Sequence, residues 1–238
     1  MKLFSKVFLF FILIVNIVSC KEEVQTPPFM GYEYFPDSVG HYVIYRVDSI
    51  WTDDVFNRKD TFLFKLKERI ESKFLDTTGR PTQRIERFKH DLDSSPFVFS
   101  DISDVWFANL TSLRAEKVEE NIKYVKLIFP IQNEDTWNGN AFNTEEDFGI
   151  DYMFMKVHEP FTDTVTGISF DSTVTVLQIN RQVVAGENIY SLEVYAKDIG
   201  LIYKNYYFIN SQPDSNEIDF KREFGPAYKY HYMQSGYE

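Results

Sequence analysis

Cysteine is almost absent: Cys20 is the only one in 238 residues. Disulfides therefore play no part in the fold, and neither thiol catalysis nor a thiolate metal site is available. Histidine is scarce too. His41, His90, His158 and His231 are scattered with no metal-ligand spacing, so no zinc or iron site is legible. His158 and Glu159 come nearest to a general-base pair, but neighbours on a strand point to opposite faces. No HExxH, GxSxG, P-loop or dinucleotide glycine pattern occurs, so no cofactor is implied. Basic charge is also short, with 25 Lys and Arg against 36 Asp and Glu, a net charge of −11. Nucleic acid is disfavoured as a partner, because phosphate binding needs clustered Lys and Arg.

What is present begins at the N-terminus. Lys2 and Lys6 precede an apolar core from Val7 to Val15, followed by Ile17, Val18, Ser19 and Cys20. The apolar run falls short of the roughly 20 residues that span a bilayer, so residues 1–19 read as a secretion signal. IVSC resembles the lipobox of bacterial lipoproteins. That resemblance implies cleavage before Cys20, lipidation of Cys20 and attachment to a membrane through its acyl chains. Two or more chains anchor stably at about 0.8 kcal/mol per buried methylene. Lys21, Glu22 and Glu23 are similar to the short signal that exports Bacteroidota lipoproteins to the outer face of the outer membrane. They also read as an ordinary charged tether. Loss of Lys2 and Lys6 with the signal leaves 23 basic residues against 36 acidic ones, a net charge of −13.

Residues 20–30 form the lipidated cysteine and tether, stiffened by Pro27 and Pro28, and residues 31–238 read as one antiparallel β domain. Val43, Tyr45 and Val47 share one face of a strand from Tyr42 to Trp51. The cleanest alternation runs from Thr61 to Phe74: Phe62, Phe64, Leu66, Ile70 and Phe74 on the inner face, Lys65, Lys67, Arg69, Glu71 and Lys73 on the outer. Asp76 to Gly79 closes a hairpin into a strand at Pro81–Phe88. Further strands are expected at Val105–Val118, Ile122–Phe129, Tyr152–His158, Ser172–Asn180, Ile189–Ala196, Ile199–Ile209 and Ile218–His231. Turns are expected at Glu119–Asn121, Thr166–Gly167, Ala185–Glu187 and Asp198, with a short helix between Asn140 and Gly149. Such a series predicts an all-β meander curled into a barrel, half-barrel or sandwich.

Four segments, YFPDSVGHYVIYRVDSI (Tyr34–Ile50), VKLIFP (Val125–Pro130), TWNGNAF (Thr136–Phe142) and VYAKDIGLIYK (Val194–Lys204), resemble a family of Bacteroidota lipoproteins to which no activity is attached. The last segment is also similar to a hairpin of lipoprotein-carrier-like half-barrels, which implies a curved sheet able to hold an apolar ligand.

Two residues stand out as ligand-binding candidates. Glu68 falls on the inner face, either as a polar anchor in a cavity or paired with Arg84 or Arg87 across the hairpin. Trp137, beside Asn138, Gly139 and Asn140, reads as an indole packed back on the sheet or as a platform for a sugar ring. Asp91, Asp93, Ser94 and Ser95, and Glu134, Asp135, Asn138 and Asn140, are oxygen-rich, but neither set matches a calcium loop, and both read as solvated charge. Three function classes remain. The first is a non-enzymatic surface lipoprotein that binds or assembles with an envelope protein, glycan or lipid. The second is a carrier or sensor of a hydrophobic envelope ligand, and the third a glycan-acting enzyme with paired carboxylates.

Overall fold

The computed structural model describes residues 29–93, 97–98, 101–143, 151–183, 186–213 and 221–238. The signal segment, Cys20, Lys21, Glu22 and Glu23 lie outside the described residues, as do Ser94 and Ser95. Residues 140–143 form a turn, and the rest of the helix expected up to Gly149 also lies outside.

Twelve strands form one antiparallel sheet: β1 (His41–Asp53), β2 (Arg58–Leu75), β3 (Pro81–Asp91), β4 (Ile102–Leu110), β5 (Arg114–Glu119), β6 (Ile122–Ile128), β7 (Thr136–Trp137), β8 (Tyr152–Thr162), β9 (Ser169–Arg181), β10 (Gly186–Ala196), β11 (Gly200–Pro213) and β12 (Lys221–Tyr237). Their spatial order is β6-β5-β4-β3-β2-β1-β12-β11-β10-β9-β8-β7. Two six-strand meanders are thus joined where β1 pairs with β12, from His41 opposite Tyr237 to Asp53 opposite Phe224. The two edges, β6 and β7, come together through the chain that follows β7. Val125 N–H donates to Gly139 O at 2.8 Å, Trp137 Nε1 donates to Val125 O at 2.9 Å, and Asn143 Nδ2 donates to Lys123 O at 2.7 Å. The sheet therefore forms a nearly closed barrel, and its edges are covered rather than left to template aggregation.

Turn chemistry explains the short connections. Asp76 accepts from the backbone of Thr78 and Arg80 at 2.8 and 3.0 Å, closing β2 onto β3. Glu120 and Asn121 both have positive φ, 49° and 66°, as a two-residue primed hairpin turn demands. The stretch expected as one strand from Val105 to Val118 is instead two strands, because Thr111 accepts from Arg114 N–H and turns the chain there. Glu119, expected in a turn, is the last residue of β5.

Strand β2 corrects the simple alternation. Leu66 and Ile70 are buried as expected, and Phe64 is half-buried. Ladder register shifts between Ile70 and Ser72, a bulge at Glu71 that exchanges the two faces beyond it. Phe74 is accordingly turned outward, where its ring meets Phe107 edge-on at 5.9 Å, and Lys73 is opposite Gln83 and reaches Asp37. Phe62 keeps the inner parity but is 60% exposed, because the β1–β2 hairpin projects past the barrel wall. Lys67 points outward and is nonetheless buried: Glu238 receives its ammonium, and the Tyr42 ring lies 4.5 Å from it.

The main apolar core gathers Tyr34, Trp106, Leu127, Phe129, Phe154, Val174 and Val176, each at most 8% exposed. A fully buried side chain of this size contributes roughly 1.5–3 kcal/mol. A second layer lies outside the barrel. Phe161 and Phe170, near the tip of the β8–β9 hairpin, pack on Tyr203 and Tyr232, and Asp163 reaches His231 at 2.9 Å with both side chains buried.

Candidate functional site

The inner face of this barrel carries charge where a purely apolar lining would be the simplest filling. Glu68 on β2 accepts from Arg87 Nε at 3.1 Å and from Lys117 Nζ at 2.8 Å. Arg87 also donates to the Tyr230 hydroxyl at 3.0 Å, and its guanidinium lies 3.5 Å from the centre of the Trp106 ring. Of the two partners expected for Glu68, the structure brings it Arg87. Arg84 points to the outer face and pairs with Glu86 and Glu71.

The chain of charges continues deeper. Glu119 lies 3.2 Å from Lys126, 3.6 Å from Lys204 and 3.8 Å from Lys117. Glu193, 0% exposed, accepts from Lys126 at 2.7 Å and from Gln178 at 2.9 Å, takes a hydrogen bond from the Tyr195 hydroxyl, and lies 3.2 Å from Lys204. Four cations and three carboxylates thus link β2, β3, β5, β6, β10 and β11 across the interior. Burial alone raises the pKa of Glu68, Glu119 and Glu193, and it is the largest influence on each. The lysines, with Arg87 at Glu68, outweigh it and hold all three carboxyls below the usual carboxylate range. Burial lowers Lys126 and Lys204, yet Glu119 and Glu193 more than offset it, so both ammonium groups stay above their ordinary value.

Two hollows flank this network. A pocket of about 70 Å³ lies beside the network on the side of His41, Val43 and Ile199. A larger cleft of about 550 Å³ opens at the other end, lined among others by Tyr124, Tyr152, Tyr206, Tyr228, Lys126 and Lys204. The Tyr206 and Tyr228 rings are stacked with centres 4.6 Å apart. Burial raises the Tyr228 hydroxyl to about 12 and also raises those of Tyr152 and Tyr206, so all three remain protonated donors at neutral pH.

Trp137 lies at the barrel seam, 8% exposed, with its N–H spent on Val125 O and its ring against Phe154 at 4.5 Å. No indole face is open to a sugar. Among the described residues no three His, Cys, Asp or Glu side chains form a metal-ligating group. His158 Nδ1 meets the Tyr34 hydroxyl at 3.1 Å and Ser172 at 3.4 Å, His90 lies 3.4 Å from Asp101, and His231 is held by Asp163.

Sequence reasoning found Glu68 and missed Lys117, Glu119, Lys126, Glu193 and Lys204. A signal was present. Lys126 stands inside the apolar run Val125–Phe129, Glu193 between Leu192 and Val194, and Lys204 after Leu201, Ile202 and Tyr203. A lone charge within an apolar strand is stable only with a partner.

Searches with the sequence match no protein-family model and no curated protein. Three solved structures align with most of the chain. A candidate exported protein with a YmcC-like fold from Bacteroides fragilis shares 14% identity, covering 88% of this chain and 99% of its own, with a TM-score of 0.42. A candidate lipoprotein from Parabacteroides distasonis shares 13%, covering 89% and 100%, with a TM-score of 0.39. A candidate outer-membrane lipoprotein-sorting domain from Vibrio parahaemolyticus shares 11%, covering 85% and 87%, with a TM-score of 0.21. At these identities the function has to be read from the chain's own residues.

Proposed function

We propose that this protein is a lipid-anchored lipoprotein of the outer membrane, displayed toward the cell exterior, and that its barrel is a rigid, non-enzymatic binding module. The observation that carries the reading is the filled interior. An acyl chain threading the barrel would have to displace Glu68, Glu119 and Glu193 from their cationic partners, leaving buried charges unpaired. That disfavours a carrier of hydrophobic ligands.

The two ends of the barrel also differ. Met30 O accepts from Ile131 N–H, and the Tyr32 hydroxyl donates to Ser112 O, which places the start of the described chain beside the 111–113 turn. The large cleft opens at the opposite end, near Glu187 and Phe208. A tether from Cys20 would therefore present the cleft away from the lipid. Hydrolysis of a glycoside by paired carboxyls needs one of them protonated as general acid. Glu119, the network carboxylate lining the cleft, and Glu193 behind it are both held ionised, which supports binding over catalysis.

Three measurements on the native lipoprotein test the proposal. Acyl labelling should be lost in Cys20→Ala, added protease should remove the protein from intact cells, and native mass spectrometry of gently extracted protein should show no bound lipid beyond its own anchor. Equal labelling of mutant and parent, protection in intact cells, or a stoichiometric non-covalent lipid would overturn the anchor, the display or the binding role respectively.

A further inference from the structure

We infer that the 550 Å³ cleft is a binding site for the hexose rings of a neutral glycan. The inference rests on the binding role proposed above and names the ligand class. The volume falls within the roughly 300–1,000 Å³ of small-ligand sites. Charge on its lining is balanced, Lys126 and Lys204 against Glu119 and Glu187, and Glu193 lies directly behind the lysines. An anionic headgroup or phosphate would meet ammonium groups already engaged by carboxylates, and the whole chain, at −11, repels polyanions.

A sugar hydroxyl donates and accepts at once, so alternating ammonium and carboxylate groups suit it better than they suit an ion of either sign. The aromatic side chains supply the other half of the recognition. Tyr206 and Tyr228 give flat apolar surface with a polar tip, which matches the apolar face and polar rim of a pyranose ring. Tyr152, 8% exposed and also lining the cleft, adds a third such ring, whose hydroxyl can donate to and accept from a sugar hydroxyl.

Isothermal titration of the complete mature domain with maltotriose, cellotriose, mannotriose and chitotriose tests the inference, with trigalacturonate as the acidic control. At least one neutral sugar should saturate. Tyr206→Ala should weaken that binding about tenfold and Tyr152→Phe about fivefold, whereas Tyr206→Phe should bind within about twofold of the parent, since it keeps the ring. Circular dichroism melting within a few degrees of the parent shows each variant folded. Binding of none of the four neutral sugars, affinity indifferent to both Tyr206→Ala and Tyr152→Phe, or preference for trigalacturonate would overturn the glycan inference. A lipid-free protein that ignores every sugar sinks only the ligand class; a protein extracted with a stoichiometric bound lipid sinks the binding role beneath it.

Discussion

Glu193 has exchanged water for Lys126, Gln178 and the Tyr195 hydroxyl, with Lys204 3.2 Å away. Removing one member of such a buried pair leaves the other charge uncompensated, which typically costs about 3–5 kcal/mol. Glu193→Leu should therefore destabilise the protein by that amount in urea unfolding. Lys126→Met added to it should recover part of the loss, because two apolar side chains leave fewer uncompensated charges than one. A double variant less stable than the sum of its singles would show that these residues act through packing and not through charge.

At the level of the strand, position along the barrel decides what alternation only suggests. Phe62 and Leu66 have the same parity on β2, yet Phe62 is 60% exposed and Leu66 is 3% exposed, because β2 runs beyond the wall that covers Leu66. Leu66→Asp should be severely destabilising, burying an unpaired charge at a cost above about 4 kcal/mol. Phe62→Asp should change stability by less than about 1 kcal/mol. Urea midpoints for the two variants measure the difference, and similar losses would mean that the hairpin tip is covered. Glycine has positional meaning on β12 in the same way. Gly225 has φ 142°, and a Cβ there would lie 2.0 Å from Phe208 O, so β11 approaches β12 this closely only because the side chain is missing.

Across the whole molecule, the ion network stitches one half of the sheet to the other. Glu68, Arg87, Lys117, Glu119 and Lys126 come from β2 to β6, Glu193 and Lys204 from β10 and β11. The pH dependence of stability should follow from it. Folded Glu68, Glu119 and Glu193 have pKa values below the unfolded 4.5, so their contribution is complete above about pH 4.5 and is lost as pH falls toward their folded values. Lys126 and Lys204 are raised above 10.5, so theirs is complete below about pH 10.5 and is lost as pH rises through the folded values. Unfolding free energy should be nearly flat from about pH 5 to 9 and fall steeply below about pH 4.5. In Glu193→Leu that acid limb should be shallower. An unchanged acid limb would assign acid unfolding to other carboxylates.

Much of the architecture is written in local pattern. Period-two alternation at Val43, Tyr45 and Val47, turn residues at Asp76–Gly79 and Asn121, and the absence of disulfides suffice to specify an antiparallel meander packed by side chains alone, since each depends on neighbours a few residues apart. The inner placement of Glu68 and its pairing with an arginine of β3, Arg84 or Arg87, were legible for the same reason, because both strands lie on one hairpin; the structure chose Arg87. Tertiary structure decided the rest. Phe74 and Lys73 changed faces at a bulge that no composition signals, and Trp137 became part of the barrel seam because β6 and the chain after β7 meet only on closure. The cleft and the charges behind it join Lys126 on β6 to Glu193 and Lys204 on β10 and β11, residues 67 and 78 positions apart. Side-chain periodicity reports which face a residue takes but not which distant strand will face it. That pairing appears only when the sheet curls and brings its two halves across one interior.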